Sequence, residues 1–133
     1  MRQPPIGTRG NYEFIVRRDQ LAGSLEPSLP PVLATCFMSL ALEMAAMDAI
    51  KPYLEPGEMT VGAVVVVSHT AATPEGWRVR AEAEVTAADS RKVEFKVRAF
   101  DDKEEIGNGT HTRAMVVRAK FDERFAAKAA AKP

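Results

Sequence analysis

Glu43 is a carboxylate set among apolar neighbours, between Leu40, Ala41, Leu42 and Met44, Ala45, Ala46. Stripped of water there, it would serve as a base or nucleophile near neutral pH. It could equally occupy the one exposed facet of a helix, or pair with an arginine. His69 ends a run of valines, at the rim where a strand leaves the core. An imidazole there can move protons near neutral pH, and a hydrogen-bonded structural histidine would sit in the same place. Thr35 lies near a helix start, where its hydroxyl would cap free backbone amides. Alternatively it would hold a carbonyl oxygen or a water, with the amides of that helix end favouring a developing oxyanion. Gly62 interrupts the valine run, which lets a ligand approach the backbone or simply lets the sheet curve. His111, in a later strand, has the weakest claim. Two histidines without paired cysteines or clustered acids give no metal-ligand spacing, so no metal is expected.

These residues need elements to hold them. Asn11 to Val16 has the aromatic and β-branched content of a strand, and Leu21 to Pro31, with one glycine and three prolines, reads as a loop. Val32 to Ile50 is rich in alanine, leucine and methionine and stops at Pro52, which predicts a helix roughly 28 Å long. It is apolar nearly all round, so it should be covered on most sides. Met59 to His69 is a continuous β-branched run, as expected of a buried central strand. Trp77 to Val85 and Lys92 to Val97 alternate strictly, which predicts a hairpin with one charged, wet face and a turn at Ala87 to Ser90. Ile106 to Phe121 is the last expected strand, its Gly107 and Gly109 pointing to a bulge or a close backbone approach. Residues 122–133, alanine and lysine with little to bury, should fray.

Strand, loop, long helix and four strands in succession predict an α+β fold. One long central helix would be wrapped by a curved five-stranded antiparallel sheet, the layout of the hot-dog fold. The 133 residues suffice for one domain, 1–133. A curved sheet with a spare edge would pair with a second copy, so a homodimer is expected. Eighteen basic residues balance eighteen acidic ones, which argues against nucleic acid as a partner. The apolar stretch carries Glu43 and Asp48, unlike a membrane span, and Met1 to Gly10 does not read as a secretory signal. With a single cysteine, Cys36, these features point to a cytoplasmic protein with no membrane partner.

Four longer strings carry a resemblance: VLATCFMSLALE (Val32 to Glu43), PYLEPGE (Pro52 to Glu58), SHTAATPEG (Ser68 to Gly76) and EIGNGTHTRA (Glu105 to Ala114). Through them the chain resembles the fluoroacetyl-CoA thioesterase-like hot-dog thioesterases over most of Val32 to Phe121. The resemblance implies a catalytic group of Thr35, Glu43 and His69, with Gly62 and Arg113 on the substrate. It also implies a lid before the helix, where Leu29 stands in place of a gating aromatic. It implies hydrolysis of a short acyl-CoA, a small-molecule partner whose coenzyme A is part of the substrate, so that no separate cofactor is needed. The alternatives are a hot-dog hydratase or dehydratase, and a module that binds an acyl-CoA or another hydrophobic ligand without turnover. Thr35 and Glu43 stand eight residues apart, roughly 12 Å along one helix, so they cannot touch. Either Thr35 precedes the helix and the chain folds back, or the site draws on two subunits.

Overall fold

The order of elements follows the hydrophobic pattern. In a computed structural model that describes every residue from Met1 to Pro133, the chain begins with strand β1 (Arg9–Ile15) and a 3-10 turn (Arg18–Gln20). A short helix α1 (Ala22–Leu25) and the long helix α2 (Thr35–Ile50) follow, the latter ending in a second 3-10 turn (Lys51–Tyr53) that contains Pro52. Strands β2 (Glu58–His69), β3 (Arg78–Ala88), β4 (Lys92–Phe100) and β5 (Glu105–Val117) come next, and helix α3 (Arg118–Ala130) ends the chain. The sheet order is β1-β3-β4-β5-β2, antiparallel throughout.

The alternating stretches form the middle of the sheet. Val79, Ala81, Ala83 and Val85 of β3, with Val93, Phe95, Val97 and Ala99 of β4, are buried on the concave face. Their charged neighbours point outward, because successive strand residues face opposite ways. Trp77 stands just before β3 and is half-buried rather than part of that inward row. Asp89 makes the turn between the strands, its carboxylate accepting from the backbone N–H groups of Arg91 (2.7 Å) and Lys92 (2.8 Å). Helix α2 lies in the hollow, chiefly against β1 and β3, and buries Met38, Ala41, Leu42, Ala45, Ala46, Ala49 and Ile50. A curled antiparallel sheet around one central helix is the hot-dog fold.

Four expectations need correcting. The helix begins at Thr35, not Val32. Leu33 instead forms an isolated bridge with Leu21, which ties the preceding loop down in extended form. The sheet covers only one face of α2, leaving Cys36, Leu40 and Met47 exposed along the other. The valine run is not a central strand. It is the edge strand β2, paired only with β5, and Val64 and Val66 are 50% and 59% exposed. Its apolar content reflects an outer side that nothing in a single chain covers. Finally, β5 stops at Val117 because the ladder with β2 runs out there, opposite Glu58. Beyond it the chain continues as α3, an exposed helix of good helix formers with an Arg118–Asp122 pair one turn apart at 3.0 Å. At Gly107 and Gly109 the register with β2 is unbroken, so these glycines serve close approach: a Cβ on Gly107 would lie 2.6 Å from Met38 Sδ, and one on Gly109 would collide with the Val66 carbonyl. No helix is long and apolar enough to cross a membrane.

Candidate active site

Two polar groups line β2. The first forms where the loop before α2 meets the loop after β2. The Leu33 N–H donates to the Thr73 carbonyl (2.8 Å), and the buried Thr73 hydroxyl donates to Asp101 (2.9 Å), which locks the two loops together. That lock sets Thr35 Oγ1 2.8 Å from His69 Nδ1. Thr35 is the first helical residue, so its hydroxyl bonds a side chain rather than capping the helix. His69 is the last residue of β2, paired with Gly107, and its Nε2 is buried with no hydrogen-bond partner in the chain. Burial pushes its imidazole below the usual histidine range, so the ring is neutral at pH 7.

The second group fills the hollow between α2 and the β5–β2 side of the sheet. Gly62 and Arg113 are opposite one another across the ladder, and the register then slips between Gly62 and Val64, leaving Ala63 unpaired. Such a bulge bends the strand and re-aims its backbone. Here it presses Gly62 against α2, where a Cβ would lie 3.3 Å from Glu43 Oε1 and 3.6 Å from Arg113 Nη1. Arg113 is buried and held from two sides. Its Nε donates to Thr60 Oγ1 (2.9 Å) and its Nη2 to the Thr60 carbonyl (3.0 Å). Its Nη1 faces Glu43 at 3.9 Å, an ion pair too long for a hydrogen bond. Burial draws the guanidinium below its usual range while the Glu43 charge pulls it back up, and it remains cationic. The Glu43 side chain is 33% exposed and arginine-paired, so the apolar neighbours in sequence do not enclose it. It sits at the margin of the uncovered stripe of α2.

The chain therefore brings together Thr35 with His69, and Glu43 with Gly62 and Arg113, but leaves the groups apart. Since Thr35 belongs to α2, no fold-back closes the gap of roughly 12 Å along the helix. Leu29 joins neither group. Half-exposed, it borders a surface hollow with Leu21, Gly23 and Pro31, and Val32 is the loop residue that lies beside His69. Sequence reasoning passed over Thr60 and gave His111 little weight. The period-2 pattern held a usable signal: Gly107, Gly109, His111 and Arg113 share one face of β5, the face toward the helix.

The fold recurs in known proteins. A family model described as fluoroacetyl-CoA-specific thioesterase matches residues 16–119. The fluoroacetyl-CoA thioesterase of Streptantibioticus cattleyicolor is 38% identical over 129 residues, spanning 92% of this chain and 93% of that protein. Among solved structures, a mutant of the fluoroacetyl-CoA enzyme FlK in complex with acetyl-CoA has a TM-score of 0.88 at 37% identity, over 93% of this chain and 98% of the other. A Thermus thermophilus hypothetical protein, described as a thioesterase superfamily member, has a TM-score of 0.88 at 30% identity, over 95% and 93%. Fold and relatives together define a hot-dog thioesterase, a hydrolase of thioester bonds. Within that class, the chain belongs to the fluoroacetyl-CoA-specific thioesterase family.

Proposed function

We propose that this protein hydrolyses short-chain acyl-CoA thioesters to the free acid and coenzyme A, in a site shared between two copies of the chain. The reading rests on one observation above all: both polar groups lie along the unpaired edge strand, at Gly62 and at His69. If two β2 edges pair antiparallel about Val66, with the extra residue Ala63 left unpaired, Gly62 of one copy falls opposite His69 of the other. Glu43 and Arg113 from one copy would then face Thr35 and His69 from the second. The exposed Val64 and Val66 and the uncovered stripe of α2 would be buried in the same event.

In that site Glu43 supplies the carboxylate that attacks the thioester carbonyl or activates a water to do so. The backbone amides at the start of α2 and the Thr35 hydroxyl hold the developing oxyanion. As the C–S bond breaks, the coenzyme A sulfur leaves as the thiolate, and His69, whose ring Thr35 orients, passes it the proton released by the attacking water or, in the direct route, one drawn from solvent. In the direct route, water then opens the acyl–Glu43 anhydride and restores the carboxylate. Gly62 lets the acyl group lie against the backbone, and Arg113 fixes the carboxylate.

The loop before α2, whose Val32 lies beside His69, walls the acyl group. A pocket that admits only two carbons needs a bulky fixed wall, which an aromatic ring provides with little entropy to lose. Gly23 to Pro31 contains no aromatic residue, and Leu29 is 49% exposed. One methylene is worth only about 1–3 kcal/mol of discrimination in a hydrophobic pocket. Free-thiol release from acetyl-, propionyl-, butyryl- and fluoroacetyl-CoA tests the proposal. All four should be cleaved, the first three with kcat/KM within about two orders of magnitude of one another. Saturable binding without thiol release would make the protein a binder, and a many-thousand-fold preference for the fluorinated substrate would place the gate in another segment.

A further inference from the structure

His111 is buried on the concave face of β5, two residues before Arg113, with its ring stacked on Phe95 (centroids 6.0 Å apart, planes at 26°). Its two nitrogens have partners of opposite kind. Nδ1 lies 2.7 Å from the Val64 carbonyl, which can only accept, so Nδ1 carries the hydrogen. Nε2 lies 3.3 Å from Arg113 Nη1, which can only donate, so Nε2 presents its lone pair. The partners leave one state open to the ring, neutral with the proton on Nδ1.

The geometry points to His111 as a positioning residue that acts on Glu43 through Arg113. One ring ties together the two features that shape the Glu43 side of the site. Its Nδ1–H holds β2 just past the bulge that brings Gly62 against Glu43. Its Nε2 takes a hydrogen of Arg113 Nη1, the nitrogen that faces the Glu43 carboxylate. With Nε and Nη2 engaged by Thr60, His111 completes a three-point hold on the guanidinium. The charged groups around the ring are Arg113 on its own strand and Glu43 on α2; β4 presents Phe95 and β2 presents a carbonyl. A second proton would set two N–H groups head to head, and burial with the Arg113 charge disfavours it. His111 is therefore held out of proton transfer, which falls to His69.

This inference rests on Glu43 being the catalytic carboxylate, and two substitutions test it. In His111→Gln the amide oxygen reaches near the place of Nε2 and keeps an acceptor for Arg113. In His111→Asn the amide nitrogen sits near the place of Nδ1 and keeps only the bond to Val64. Displacement of the Glu43–Arg113 pair should cost His111→Asn about 100-fold in kcat/KM, while His111→Gln stays within about 10-fold of the parent. A residue that merely fastens the two strands predicts the reverse order, and either that order or equal loss in both variants overturns the proposal. Should a variant not fold, imidazole 15N NMR on the unmodified protein decides. An Nδ1–H tautomer with unprotonated Nε2 is expected, and the Nε2–H tautomer contradicts it. Full activity in Glu43→Gln, with the tautomer as expected, would fell the Glu43 reading but not the hold on Arg113, so the two failures can be told apart.

Discussion

Replacing Glu43 by glutamine removes a charge and keeps the shape, which separates chemistry from packing. The side chain is one-third exposed, so solvent screens its pairing with Arg113, and Arg113 retains both bonds to Thr60. The variant should lose thioester hydrolysis while its stability changes by less than about 1 kcal/mol. Undiminished thiol release at an unchanged melting temperature would contradict the mechanism. At this scale the sequence was informative where a residue type was out of place. A carboxylate amid leucine and alanine, a histidine closing a valine run and a glycine inside it could each be singled out unaided. Arg113 and Leu29 came from the resemblance alone. Thr60 and the weight of His111 escaped, because their roles depend on which strand lies across from β5. That pairing is a contact between distant segments and leaves no local pattern.

Among the elements, β2 carries the heaviest load, since it contributes to both polar groups and presents an open edge. Lysine on an edge strand blocks further pairing by placing a solvated charge in its path. Val66 is the most exposed of the valines named and stands at the centre of the proposed pairing. On the proposed pairing, Val66→Lys should give a monomer of 14.5 kDa by light scattering, inactive because each copy would hold only half the site, and the parent should show twice that mass. A dimer of undiminished activity in this variant would exclude the β2 edge as the contact. The helix and the β3–β4 hairpin were legible because each follows a local period, 3.6 or 2. The position of β2 was not: a continuous apolar run reads the same whether another strand or another molecule covers it. The helix of the tail was not legible, because its residues bury nothing and so mark no apolar face.

For the molecule as a whole, the two histidines link stability to pH. Burial depresses both His69 and His111, whereas in the unfolded chain each titrates at about 6.5. Below that value the unfolded state binds protons that the folded state refuses, so stability falls with pH. Their contribution is complete above about pH 6.5 and is lost as pH drops through the lower folded values. Glu58, Glu84 and Asp89, held below the ordinary carboxylate range, act in the same direction only at more acidic pH. Thermal midpoints at fixed protein concentration should be level near pH 7–8 and decline from about pH 6.5 to 5. A level profile across that interval would mean that neither ring is desolvated. The proposed shared site would be a property of the whole assembly, and mixing two inactive variants tests it most directly. Glu43→Gln lacks the carboxylate and His69→Ala lacks the imidazole. Co-refolded in equal amounts, half of the dimers are mixed, and each mixed dimer rebuilds one intact site from Glu43 of one copy and His69 of the other. Recovery of about a quarter of the parent activity is predicted. Formation of mixed dimers, verified by mass spectrometry of differently tagged copies, with no recovered activity would contradict the account.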